Sequence, residues 1–254
     1  MMLGYKIHGE GSEKVVVMHE WLGDHNNYTN LLPYLDQEAF TYIFVDLRGY
    51  GFSRKLDGKF TVHEATSDII SLIEKLFNEK VHLVGHSMSA MVAQRICVDR
   101  PDLIHSLVAV TPVPGCGLKL DDSDLKELRK SVTDDDIARA LIDNRTGNRL
   151  SANWIDYKLK KAKDASVQAA RLGYIEMFTE TDFADEMHHV DLPLLVLTGE
   201  HDLPHFRRET LEGFFKKHFP FSRMVLCKNA GHYPMLEAPI FFASVIEKFF
   251  RENS

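Results

Sequence analysis

The chain has 254 residues, 44% of them hydrophobic and 26% charged, which suits one large globular domain and excludes a disordered or membrane-embedded chain. Thirty Lys and Arg against 37 Asp and Glu give a net charge of -7, which weakens attraction to phosphate backbones and argues against a nucleic-acid partner. Three cysteines without CxxC or metal-ligand spacing argue against a disulfide framework, and no apolar run approaches 18 residues, so a cytoplasmic protein off the membrane is expected.

In chain order, short apolar runs at Val15 to Met18, Tyr42 to Val45, Val81 to Val84, Leu107 to Val110, Leu194 to Leu197 and Met224 to Leu226 read as strands. Continuous apolar runs of this length, separated by helical patterns, belong to a sheet covered on both faces. The expected fold class is therefore α/β, a mostly parallel central sheet flanked by helices. Between the third and fourth runs, Ala90 to Cys97 has helical spacing and stops near Pro101. After Pro239, the residues Ile240, Phe241, Val245, Ile246, Phe249 and Phe250 fall where a terminal helix would bury one broad stripe.

The alternation fails from about Pro112 to Leu192. Charged helical segments such as Asp121 to Lys130 and Ser151 to Lys163 follow one another there without a strand. The expectation is a core domain over 1–111 and 193–254, with residues 112–192 inserted as a helical cap. Pro112, Pro114, Gly115 and Gly117 mark its entry, and Asp191 to Pro193 its exit.

Gly85-His86-Ser87-Met88-Ser89 joins a strand directly to a helix. Such a turn pushes a serine hydroxyl into a cleft and leaves backbone N–H groups free at the helix start. The crowded positions two before and two after the serine must be small, which Gly85 and Ser89 satisfy. A serine needs a base, and the base needs a group that fixes its tautomer. Asp202 lies just beyond the Leu194 run, and His232 lies in the loop after the Met224 run. Ser87, Asp202 and His232 are thus the candidate nucleophile, orienting acid and general base.

At this point the chain resembles the α/β-hydrolase superfamily, in the capped branch that holds esterases, lactonases, perhydrolases, carbon–carbon bond hydrolases and dehalogenases. The resemblance rests on five motifs in order: His19 to Gly23, Asp46 to Ser53, Gly85 to Ser89, Gly199 to Asp202, and Gly231-His232 with Glu237 to Pro239. It implies an oxyanion hole from the N–H groups of Trp21 and Met88. It also implies a structural role for the Asp46 to Ser53 loop, where Asp46 and Arg48 pair or satisfy loop amides. Serine at the elbow, where dehalogenase and epoxide hydrolase relatives carry aspartate, turns the expectation toward acyl chemistry. Two positions depart from the family pattern: Ser89 stands where glycine is more usual, and Glu20 replaces the usual glycine of the oxyanion loop. Glu20 is expected to point to solvent or to a loop partner.

The implied function is a serine hydrolase acting through an acyl-enzyme on an ester or lactone of a small to medium apolar molecule. A carbon–carbon bond hydrolase or perhydrolase with the same triad remains open, as does a small-ligand receptor with little turnover. No cofactor or metal is expected, although His188-His189 and the His201/His205 pair have ligand-like proximity. Candidate substrate contacts are Trp21, Trp154, Met177, Phe178 and Tyr233, with Tyr157 and Tyr174 as further aromatics in the cap. Oligomeric state is left open.

Overall fold

A computed structural model describes residues 2–77, 79–187 and 190–254. Its strands are β1 (Tyr5–His8), β2 (Glu13–Met18), β3 (Phe40–Val45), β4 (Val81–His86), β5 (Ile104–Val110), β6 (Leu194–Gly199) and β7 (Ser222–Cys227). They form one sheet in the order β1-β3-β2-β4-β5-β6-β7. Only the edge pair β1/β3 is antiparallel. Six of these strands match the apolar runs. The short β1 was not expected: none of its residues is fully buried, Ile7 is 52% exposed, and it carries no apolar run.

The helices are α1 (Val62–Leu76), α2 (Met88–Asp99), α3 (Asp122–Lys130), α4 (Asp135–Asn144), α5 (Ala152–Ala165), α6 (Gln168–Glu180), α7 (Arg208–His218), α8 (Pro234–Glu237) and α9 (Pro239–Arg251). The sequence reading did not mark α1, yet its signals are present. Val62, Ala65, Ile69, Leu72 and Ile73 bury one face, and the Thr61 hydroxyl caps the Glu64 N–H. One apolar cluster covers each face of the sheet. On α9 the expected stripe is corrected. Ile240 (62%) and Phe241 (41%) are exposed, and the buried face is Phe242, Ala243, Ile246, Phe249 and Phe250.

Helices α3 to α6 follow one another between β5 and β6 with no strand among the described residues. They meet the core at defined points. Ser166 bridges Tyr50, and Gly49 at φ 78° approaches Ala170 so closely that a Cβ there would lie 2.2 Å from the Ala170 methyl. Because β2, β4, β5, β6 and β7 run parallel, the loops after them gather at one edge of the sheet. That edge is where open α/β sheets carry their sites.

Candidate active site

Ser87 sits between β4 and α2 with φ 55° and ψ -113°, a conformation that an L-residue adopts only under constraint. The constraint is visible. Ser87 N–H donates to the Val110 carbonyl at 2.9 Å, and the Ser87 carbonyl accepts from Val113 N–H at 3.1 Å. A Cβ at Gly85 would lie 2.6 Å from the Ala90 Cα, which explains the small residue two positions upstream. Downstream, the departure at Ser89 is satisfied by bonding. Its hydroxyl accepts from His86 N–H at 2.9 Å and lies 3.1 Å from both the Met18 and His86 carbonyls. Ser89 thus ties the turn to the end of β2.

Asp202 and His232 are brought together. The His232 Nδ1 lies 2.8 Å from Asp202 Oδ2, and Asp202 Oδ1 accepts from Leu203 N–H at 2.7 Å. Both side chains are buried. With Nδ1–H donating to the carboxylate, Nε2 is the nitrogen left to take a proton. The histidine loop is fixed on every side. Gly231 and Tyr233 N–H donate to the two Glu237 oxygens at 2.9 and 3.1 Å, while His232 N–H donates to the Arg145 carbonyl at 2.8 Å. The His232 carbonyl accepts from His86 Nε2 at 2.7 Å. Burial, reinforced by the neighbouring His232, depresses the His86 pKa to about 3, so His86 is neutral and its Nε2–H is the donor.

Trp21 lies in the loop after β2 and Met88 opens α2. Both are buried, and neither backbone N–H finds an acceptor among the described residues. Unspent N–H groups in a buried turn are what an oxyanion-binding pair requires. The loop between them is held firmly: Tyr50 OH donates to the Trp21 carbonyl at 2.9 Å, and Trp21 Nε1 donates to the Arg171 carbonyl at 2.9 Å.

Of the two courses expected for Glu20, solvent or a loop partner, it takes the second. It is 1% exposed, and its partners are the Leu22 N–H, the Asn27 amide at 3.0 Å and Lys158 Nζ at 2.7 Å. Lys158, on α5, is fully buried, reaches the Leu22 carbonyl at 3.0 Å and stands 4.5 Å from the centre of the Tyr233 ring. Burial alone would raise the Glu20 pKa, but the charge of Lys158 and the hydrogen bonds from Lys158 and the Leu22 N–H outweigh it and bring it down to about 2. Burial pulls Lys158 below its ordinary value against the pull of Glu20. The two shifts oppose each other, so the pair stabilises the fold by less than the carboxylate's shift alone implies.

The Asp46 loop behaves as a structural element. Asp46 accepts from His25 N–H and Phe52 N–H, each at 2.8 Å, and pairs with His25 Nδ1 at 2.7 Å. Arg48 forks onto Asp68 and reaches the Asp57 carbonyl. Asp24, His25 and Asp46 have ligand atoms within 4.8 Å of one another, but Asp46 is already committed to those donors. His188 and His189 lie outside the described residues, and His201 contacts Glu200 at 3.5 Å.

Among the expected substrate contacts, Tyr233 and Trp154 pack together with ring centres 5.6 Å apart, and Trp21 meets Phe178 edge-on at 6.4 Å. Tyr174, Met177 and Phe178 are buried in the core, whereas Tyr157 is exposed on α5. None of them lines a cavity of about 210 Å³ bounded by Arg145, Leu203 and Phe206 among others. Arg145, Lys158 and Phe206 escaped sequence reasoning. Lys158 sits in a lysine-rich run that reads as a solvated face, and Arg145 and Phe206 have no local pattern at all.

The model of the alpha/beta hydrolase family matches residues 7–245. A pimeloyl-[acyl-carrier protein] methyl ester esterase of Legionella pneumophila (strain Lens) is 24% identical over 254 residues, 96% of this chain and 97% of that protein. A soluble epoxide hydrolase of Corynebacterium sp. (strain C12) is 33% identical over 127 residues, 48% of this chain and 43% of its own. Among solved structures, the bromoperoxidase from Bacillus anthracis superposes with a TM-score of 0.87 at 25% identity, covering 97% of this chain and 94% of that one. An esterase from Exiguobacterium antarcticum reaches 0.85 at 19% identity, covering 97% and 94%, a likeness of fold alone.

Proposed function

Since this chain belongs to the alpha/beta hydrolase family, we propose that it is a serine hydrolase cleaving an ester or lactone of a small to medium apolar molecule, with Ser87 as nucleophile. The observation that carries this reading is the buried His232–Asp202 pair, 2.8 Å apart, at the sheet edge that also presents a constrained Ser87. Helices α3 to α6 serve as the cap over that edge in this proposal, dividing the chain into a core (1–111 and 193–254) and an insertion (112–192). The ester-cleaving relative from Legionella points the same way.

His232 Nε2 takes the Ser87 proton as Oγ attacks the carbonyl carbon, and Asp202 holds the imidazolium that forms. The charge developing on the carbonyl oxygen is met by the N–H groups of Trp21 and Met88. The ester C–O bond then breaks and the departing oxygen takes the proton from His232. Water, deprotonated by the same nitrogen, attacks the acyl-enzyme and releases the acid with Ser87 restored. These steps draw only on the chain's own groups.

The test is labelling with a fluorophosphonate, together with a panel of esters and lactones. Labelling of Ser87 with ester turnover that disappears in Ser87→Ala supports the proposal. No label on folded protein, with activity intact in Ser87→Ala, overturns it. A second reading, perhydrolysis, is favoured by the likeness to the Bacillus anthracis protein named as a bromoperoxidase. There hydrogen peroxide replaces water on the acyl-enzyme and a peracid leaves, so peroxide-dependent bromination in carboxylate buffer is its signature.

A further inference from the structure

Beside the proposed triad lies a cavity that joins apolar walls to a cation with no counter-ion among the described residues. It measures about 210 Å³ and is bounded by Leu128, Leu141 and Arg145 on the side of α3 and α4, and by Leu203 and Phe206 on the loop after Asp202. At ~30 Å³ for each water-sized group, it holds roughly seven non-hydrogen groups. Ser87 and His232 do not line it, but three links join it to them. Leu203 N–H donates to Asp202 Oδ1 at 2.7 Å, the Phe206 ring centre is 4.5 Å from that of His232, and the Arg145 carbonyl accepts from His232 N–H at 2.8 Å.

The side chain of Arg145 is only 9% exposed as a residue, and its guanidinium carbon stands 5.9 Å from the centre of the Trp21 ring. Of its five donors, one makes a long 3.4 Å contact with the Leu141 carbonyl. It forms no ion pair among the described residues. Glu20 is engaged by Lys158, Asp202 by His232 and Glu237 by Arg149, and Asp143, two residues away with a buried Oδ1, makes no ion pair with Arg145 among the described residues. Asp124 and Glu127 belong to the exposed rim of the same cavity and do not pair with it either. A largely desolvated guanidinium beside an indole keeps most of its donors unspent, and the planar fork they form matches a carboxylate.

We propose that this cavity is a distal substrate subsite in which Arg145 recognises a carboxylate, so that the preferred substrate is the monoester of a small dicarboxylic acid. Its turnover rests on the Ser87 reading above; its binding does not. The apolar walls hold the methylene chain and the guanidinium holds the far end.

The test compares monomethyl adipate, methyl hexanoate and methyl 6-aminohexanoate, which share one chain length and differ in the charge at its far end. The wild-type protein is expected to prefer the anionic ester over the neutral one, and the neutral over the cationic. In Arg145→Gln the anionic-to-neutral ratio of kcat/KM should fall about tenfold to a hundredfold, chiefly through KM of the anionic ester, as loss of a charge-assisted hydrogen bond implies. Arg145→Lys should recover part of it, because an ammonium supplies the charge without the fork. In parallel, adipate binding to Ser87→Ala protein is measured by calorimetry with and without the Arg145→Gln change. If no ester is cleaved but adipate binding depends on Arg145, the subsite stands and the hydrolase reading falls. If esters are cleaved with one anionic-to-neutral ratio in all three proteins, or adipate binds Ser87→Ala equally with and without Arg145, the subsite is overturned. Should Arg145→Gln not fold, wild-type protein that cleaves the cationic ester as well as the anionic one overturns it alone.

Discussion

Replacing Lys158 by Met strands the Glu20 carboxylate in a site with 1% exposure. The ammonium is lost from a 2.7 Å contact, and the Leu22 carbonyl loses its 3.0 Å donor. Removing one partner of such a buried pair costs about 3–5 kcal/mol, whereas an exposed pair contributes about 0–1 kcal/mol. The Lys158→Met, Glu20→Gln double variant removes both charges and is expected to be more stable than Lys158→Met alone, although it carries one more substitution. A pH dependence follows with a definite sign. In the wild type, Glu20 has a folded pKa of about 2 against an ordinary 4.5, so its stabilisation is present above pH 4.5 and is lost as pH falls toward 2. Without Lys158, burial dominates and raises that pKa above 4.5, so the carboxyl stabilises the fold when protonated and ceases to as pH rises through the raised value. The gap between wild type and Lys158→Met should therefore be widest at neutral pH and narrow toward pH 5. Urea unfolding followed by tryptophan fluorescence across pH 5–8 measures it. A loss below about 1 kcal/mol, or a gap that does not change with pH, would refute the reasoning from burial.

Under the proposed mechanism, Asp202→Asn should leave the fold intact and lower kcat by a factor on the order of 10³–10⁴, since the amide favours the wrong imidazole tautomer; near-normal turnover would assign the orienting role to another group. Gly231→Ala places a Cβ 2.3 Å from the Arg145 carbonyl, where backbone must yield. It should destabilise by about 1–3 kcal/mol in thermal unfolding and depress kcat more than it changes KM. Tyr233→Phe removes a buried hydroxyl with no partner among the described residues, so the Tm should be unchanged or higher, and a fall of several degrees would reveal a partner such as a bound water.

How much of this could be read from residues alone follows the range over which each contact acts. The strands β2 to β6 announce themselves because their apolar runs are buried between the two layers, whereas β7, a half-exposed edge strand, shows only the short run Met224 to Leu226. The edge strand β1 is paired on one side only and carries no such run. The triad candidates were legible because each stands on the turn or loop that follows a strand, where local pattern and topology coincide. Helix α1 was legible in its cap and stripe, though the sequence reading did not mark it. What surrounds the triad was not. Glu20 meets Lys158 across 138 residues of chain, and Arg145 reaches His232 across the whole of α5, α6, β6, α7 and β7. A lysine in a basic run and a glutamate in a loop give no sign of that meeting, and only the three-dimensional path of the helices brings them together.

The central claim is that Ser87 carries the acyl group. Rapid acid quenching of turnover with a slowly deacylating ester, followed by mass spectrometry of proteolytic fragments, tests it directly. The account predicts the acyl mass on the fragment containing Ser87, formed in a burst, and absent in Ser87→Ala. Turnover without any acylated fragment, or an acyl group on a different residue, would contradict it.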